Sequence, residues 1–256
     1  DPSEGIDTVA DLLIRDGTIR GVGTEIGTID GAQTISAKGM VVCPGFVDVH
    51  CHLREPGLEH KETIETGTQA AAAGGFTTVC SMPNTSPPCD NRSIVEYILR
   101  QAHETGSVHV LPIGCVTKGS HGLELAEMGE LAEAGAVGFS DDGNPIADPN
   151  IMRQALSYSR SFGLPIINHC EVLPLSAGGS MNEGWISTRL GLRGIPATAE
   201  ENMVARDASL AKLTGGRLHI AHASTAGTVD LIRRSKSDAS ITCEVTPHHL
   251  TLTEES

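Results

Sequence analysis

Short apolar runs alternate along most of this chain with longer stretches whose apolar positions recur at helical spacing. The runs at 41–49, 76–82, 108–115, 136–140, 165–169, 217–222 and 240–245 have the length and β-branched content of strands. Between them, residues 91–103 set Ile94, Val95, Ile98, Leu99 and Ala102 on one helical face, with Asp90 as the predicted cap. Asp148-Pro149 opens a helix carrying Ile151, Met152, Ala155 and Leu156, and Gly163 closes it. Thr198 and Glu201 predict a capping box heading a helix that runs to Gly215-Gly216, and Ser224 caps the next. Two more helices are predicted near 61–73 and 122–134. Residues 8–36 differ: Val9 to Ile14 is apolar, and Asp16-Gly17 and Asp30-Gly31 are hairpin-type turns, which predicts a small β-layer.

Strands and helices alternating at intervals of about 30 residues predict a parallel sheet, either doubly wound or closed into a barrel. No Gly-rich dinucleotide fingerprint follows the first strand. Polar residues instead end successive strands: His50 and His52, Asn84, Asp141 and Asp142, His169, and His222. In a barrel those ends converge on one mouth. The chain therefore reads as an α/β fold, an incomplete (β/α)8 TIM-type barrel over residues 41–256. About seven of the barrel's strands are present. A partial β-sandwich layer over residues 1–40 precedes it.

The histidines carry the chemistry. Side chains two apart on a strand share a face, so His50 and His52 leave one end of the first barrel strand together. Such a pair on rigid backbone can hold a cation without ordering a loop. A histidine such as His169 or His222, taken singly, is as a rule a hydrogen-bonded core residue, and Asp141-Asp142-Gly143 could be a turn. Together, four histidines and a carboxylate at strand ends point to a metal centre. His219 lies three residues before His222, so strand alternation turns it the other way and excludes it. Imidazole and carboxylate suit Zn2+, with Mn2+ or Fe2+ as substitutes, and cations so held acidify water for hydrolysis.

Composition narrows the partners. A formal net charge of −14 disfavours nucleic acid and anionic membranes. No apolar run reaches the length of a membrane span, and Asp-Pro-Ser-Glu lacks a signal peptide's basic start. The 7 cysteines lack Cys-x-x-Cys spacing, which predicts reduced, mostly buried thiols and a cytoplasmic protein. Cys51 and Cys170 adjoin histidines but face the other way and read as packing. Glu55, Glu59, Glu62 and Glu65 read as a solvated helix entry. The segment 172–197 is either a cover over the mouth or an ordinary surface excursion.

The run Pro44 to Gly57 resembles the amidohydrolase superfamily, and its dihydroorotase branch of type I in particular. So do Glu62 to Thr78, Met82-Pro-Asn-Thr85, Phe139 to Gly143, Asn168-His-Cys-Glu171, Met181-Asn-Glu-Gly184, Ile220 to Ser224 and Glu244 to His249. Met82-Pro-Asn-Thr85 separates the chain from allantoinases and dihydropyrimidinases, which share much of the rest. The resemblance implies a zinc enzyme that reversibly cyclises N-carbamoyl-L-aspartate to (S)-dihydroorotate in pyrimidine synthesis. It implies His50 and His52 on a first metal, His169 and His222 on a second, and Asp142 bridging. In related barrels the bridge is often a carboxylated lysine, but no lysine lies between Lys118 and Lys212. Arg54 and Asn84 would hold the substrate carboxylate, with His52 beside the substrate.

The family's general acid/base is an aspartate after an eighth strand, and the sequence stops at Ser256, where a helix expected from Thr253 should begin. The chain thus reads as an N-terminal portion with no catalytic acid/base of its own, inactive alone and prone to aggregate or pair through an open edge. The full-length protein would be a homo-oligomer. The alternatives are a non-catalytic partner of aspartate transcarbamoylase and a hydantoinase- or allantoinase-type cyclic amidohydrolase.

Overall fold

In the computed structural model, which describes every residue except 25 and 28, contacts divide the chain into Asp1–Gly45 and Phe46–Ser256. The first unit contains an antiparallel hairpin of β1 (Asp11–Arg15) and β2 (Thr18–Gly23). Its turn is Asp16-Gly17, as the sequence predicts, with both residues at positive φ (52° and 68°) as a tight right-twisted hairpin requires. Asp30-Gly31 also lies in a turn, but no further strand pair follows among the described residues of this unit. The expected strand 41–49 begins only at Phe46.

The second unit repeats strand and helix. In order come β3 (Phe46–Cys51), α1 (Ile64–Ala73), β4 (Phe76–Ser81), α2 (Arg92–Thr105), β5 (His109–Pro112) and α3 (Met128–Ala134). Next are β6 (Phe139–Ser140), α4 (Pro149–Ser159), β7 (Ile166–Asn168) and, inside 172–197, α5 (Leu173–Ser176), β8 (Met181–Asn182), α6 (Trp185–Leu190) and β9 (Gly194–Ile195). The last are α7 (Thr198–Thr214), β10 (Leu218–Ile220), α8 (Ala226–Ser235), β11 (Ile241–Cys243) and α9 (Pro247–Thr251). The helix expected from Thr253 is not found there: α9 starts earlier, at Pro247, and ends at Thr251, and residues 252–256 are not helical.

β3, β4 and β5 pair in parallel, and so do β6, β7, β10 and β11. A parallel bridge between Gly114 and Phe139 joins the two sets. All seven strands therefore end at the same edge. Among the described residues the series stays open between β11 and β3, and no helix is long and apolar enough to cross a membrane.

Alternation along the strands sorts two apolar layers. Val79, Val110, Ile166, Leu218 and Ile220 point to the helices and pack with Ile64, Ile98, Leu131, Met152 and Leu156. Cys80, Met82, Ile113, Ile167 and Ala221 form a smaller cluster on the opposite face. Burial on both faces is why neighbouring positions such as Val79-Cys80 and Ile166-Ile167 are both apolar rather than alternating with polar ones.

Helix starts follow local capping chemistry, with corrections to the expected caps. Asp148 accepts from the amides of Asn150 and Ile151 ahead of Pro149, as predicted. α2 is capped by Asn91, whose Oδ1 accepts from the Ile94 amide, while Asp90 accepts from Gly119 N. α8 is capped by Thr225 rather than Ser224: Glu200 accepts from the amides and hydroxyls of both, and Thr225 Oγ1 also accepts from the Thr228 amide. Thr198 is already helical and makes no capping box. α1 starts at Ile64 behind the Thr63 cap, and α3 only at Met128.

Candidate metal centre

The ends of four strands bring four imidazoles together around one carboxylate. Asp142, two residues past β6, is 6% exposed, and its amide donates to Ser140 Oγ. Its Oδ1 lies 3.4 Å from His50 Nε2, 3.9 Å from His222 Nε2 and 4.0 Å from His169 Nδ1. Its Oδ2 lies 3.6 Å from His52 Nε2. Ligand atoms of His50, His52 and Asp142 fall within 4.8 Å of one another, and so do those of Asp142, His169 and His222. Each set offers two imidazole nitrogens and the carboxylate common to both, the donor chemistry that suits zinc. The residues fit such a centre, and all five expected ligands converge.

Each side chain is aimed by its strand end. His50 lies on β3, with its amide bonded to Asp48 Oδ1. His169 follows Asn168, whose side chain is locked on both sides: Oδ1 accepts from Ile146 N, and Nδ2 donates to the wholly buried Asp207. Arg206 also donates to Asp207 and to the Ile146 and Ala147 carbonyls. His222 sits two residues past β10 in a left-handed backbone, φ 35°.

Asp141 has a different task. Its carboxylate accepts from the amides of Val116 and Thr117 and from the Thr117 hydroxyl, pinning the chain beyond β5. Asp142 alone of the two faces the imidazoles.

The outer nitrogens of three rings also find partners. His50 Nδ1 lies 2.5 Å from Glu244 Oε1, His52 Nδ1 is 2.9 Å from Asn84 Oδ1, and His169 Nε2 is 3.2 Å from Glu171 Oε2. Burial opposes the charged form of His50, but Asp142 and Glu244 outweigh it and raise its pKa to about 9. Burial likewise opposes charge on Glu244, yet His219 and His50 hold it down to about 2. Asp142 is lowered by His50 against its burial, whereas burial itself lowers His52 and His222.

Several expectations change. Asn84 is engaged inside the cluster, accepting from His52 and donating to Asp142 Oδ2 at 3.3 Å. Arg54 is half-buried with φ 63°, and its guanidinium makes no ion pair or hydrogen bond among the described residues. Glu55 is not solvated: its buried carboxylate accepts from Ile64 N, Tyr97 Oη and Gln101 Nε2. His219 is not turned away; its Nε2 lies 3.3 Å from Glu244 Oε2. It still joins neither ligand set, as expected, although β10 ends at Ile220, before His222, so strand alternation is not the reason. Glu244 opens the matched run Glu244 to His249 but was given no role, because it lies among apolar and turn residues with no metal-type spacing to mark it. Cys170 is buried and Cys51 half-buried, in keeping with packing, while Cys43 and Cys243 are exposed.

Residues 39–228 match the family model described as dihydro-orotase-like. A dihydroorotase of Syntrophotalea carbinolica is 52% identical over 257 residues, covering 100% of this chain and 60% of that protein. One of Pelotomaculum thermopropionicum is 54% identical with the same coverage. The chain therefore spans about 60% of the length of these relatives. Among solved structures, the L-hydantoinase of Arthrobacter aurescens superposes with a TM-score of 0.83 at 25% identity, covering 97% of this chain and 57% of that one. A dihydropyrimidinase of Brevibacillus agri shares the fold at TM-score 0.75 and 24% identity, over 95% of this chain and 55% of its own.

Proposed function

The chain belongs to the dihydro-orotase-like family, and from that premise we propose that it carries the metal centre of a cyclic amidohydrolase acting on dihydroorotate. The supporting observation is the Asp142 carboxylate facing four imidazole nitrogens from three other strands at 3.4–4.0 Å. We read the parallel strands as part of a (β/α)8 barrel whose mouth is this edge.

In this reading His50 and His52 would hold one zinc ion and His169 and His222 another, with Asp142 common to both sets. Cations held there would supply water activation and Lewis-acid polarisation of an amide carbonyl. Asp142, kept ionised by His50, offsets their charge. Arg54, unpaired at the mouth among the described residues, is suited to grip a carboxylate with two parallel hydrogen bonds. Asn84 would reach substrate only by giving up its bond to His52 or Asp142. The reaction of the whole protein is then the reversible ring closure of N-carbamoyl-L-aspartate.

The test offers the zinc-loaded chain, and a longer form of the protein, dihydroorotate, hydantoin, allantoin and dihydrouracil in parallel. Ring opening of dihydroorotate alone supports the reading. Turnover of hydantoin or dihydrouracil in its place overturns the substrate, and failure to retain zinc overturns the centre.

A further inference from the structure

Glu244 stands just past the end of β11, yet its carboxylate reaches the strand at the other end of the series. Its Oε1 is 2.5 Å from His50 Nδ1, the nitrogen pointing away from Asp142. The opposite nitrogen, Nε2, lies 3.4 Å from Asp142 Oδ1. A ring gripped at both nitrogens keeps its orientation, and an anionic acceptor at Nδ1 fixes the proton there, leaving the Nε2 lone pair for a cation.

The carboxylate is itself held. Glu244 is 13% exposed, and its Oε2 lies 3.3 Å from His219 Nε2, off the line of a good hydrogen bond but within ion-pair range. His219 is steadied in turn by Thr242 Oγ1, 2.7 Å from its Nδ1. β10 and β11 thus both fix the group that holds His50 on β3. The other rings are supported less firmly. Asn84 is neutral, and Glu171, 30% exposed, stands at a longer 3.2 Å from His169.

We propose that Glu244 is the positioning residue of His50, fixing its tautomer and ring orientation for a cation shared with His52 and Asp142. It touches neither substrate nor cation and acts through the imidazole alone. The inference rests on the metal-centre reading above.

Zinc affinity of the 256-residue chain, measured by competition with a chromophoric chelator, tests this on Glu244→Gln, Glu171→Gln, His50→Ala and the His50→Ala/Glu244→Gln double variant. Glu244→Gln should weaken zinc by about 10- to 100-fold, Glu171→Gln by less, and the double variant no more than His50→Ala. Unchanged affinity in Glu244→Gln overturns the inference. So does a further loss in the double variant, because damage that bypasses His50 is merely structural. Should Glu244→Gln fail to fold by circular dichroism, nitrogen NMR of the zinc-loaded, unsubstituted chain decides. A proton on His50 Nδ1 is expected, and one on Nε2 overturns the assignment. An unsubstituted chain that takes up no zinc sinks the metal-centre reading and this inference with it, whereas normal uptake with an indifferent Glu244→Gln sinks the inference alone.

Discussion

His169 Nδ1 and His222 Nε2 face each other at 2.9 Å across the ends of β7 and β10. Two imidazole nitrogens at that distance share one proton. A cation between them must expel it, and His169 can carry it on Nε2, beside Glu171 Oε2. His50 has no such escape. With a pKa of about 9 it is protonated in the metal-free chain at neutral pH, so zinc must displace that proton. Zinc binding at pH 7 should therefore release about one proton. Calorimetry in buffers of different ionisation enthalpy reads this directly, and a buffer-independent heat would contradict it.

The adjacent aspartates should separate cleanly on substitution. Asp142→Ala removes the carboxylate common to both ligand sets and should abolish zinc uptake at each, whereas His50→Ala and His169→Ala should each spare one set. Asp141→Ala leaves the Val116 and Thr117 amides without an acceptor in a buried site. It should cost about 1–3 kcal/mol in urea unfolding for each orphaned group, yet leave zinc stoichiometry unchanged. Dialysis followed by metal analysis distinguishes the two, and loss of zinc in Asp141→Ala would show that its clamp aims Asp142.

The His50–Glu244 pair makes the metal-free chain sensitive to pH on both sides. His50 is raised from 6.5 to about 9, so its contribution is complete below pH 6.5 and disappears as pH rises through 9. Glu244 is lowered from 4.5 to about 2, so its contribution is complete above pH 4.5 and disappears as pH falls through 2. The pair therefore stabilises most between pH 4.5 and 6.5. With chelator present, the Tm of the unsubstituted chain should fall from pH 6.5 to 9 more steeply than that of Glu244→Gln. Parallel slopes would mean the pair is not formed.

The ends of the inner strands were legible because both faces of the sheet are apolar there, so Phe139 gives way to Ser140-Asp141-Asp142 and Ile166-Ile167 to Asn168-His169. Asp142 could be preferred over Asp141 only through resemblance; the amides of Val116 and Thr117 that occupy Asp141 come from another strand's end, some 25 residues away in the chain. Contacts of that range leave no local trace, which is also why Glu244, though part of a matched run, showed no link to His50, 194 residues away. The caps failed for a nearer reason. Asp90 and Asn91, or Ser224 and Thr225, are good capping residues side by side; Asp90 is claimed by the distant Gly119 amide, whereas Glu200 takes both Ser224 and Thr225 and leaves that choice to the local backbone.

Glu55 carries the last expectation, since a charged residue in an acidic run proves to be a clamp. Its carboxylate joins the loop after β3 to the first amide of α1 and, through Tyr97 and Gln101, to α2. It directly follows Arg54, whose left-handed backbone turns the chain at the mouth. Those partners outweigh burial and lower the Glu55 pKa, so its contribution should be present above the ordinary value of 4.5 and decline below it. Glu55→Ala should lose about 1.5–3 kcal/mol in urea unfolding at pH 7, because a charged acceptor is removed from buried donors. Tyr97→Phe, which deletes one of the three donors, should lose less. The difference between Glu55→Ala and the unsubstituted chain should shrink as pH drops below 4.5. A gap that stays constant down to acid pH would mean the carboxylate is not ionised in the fold, and the clamp would then be packing rather than charge.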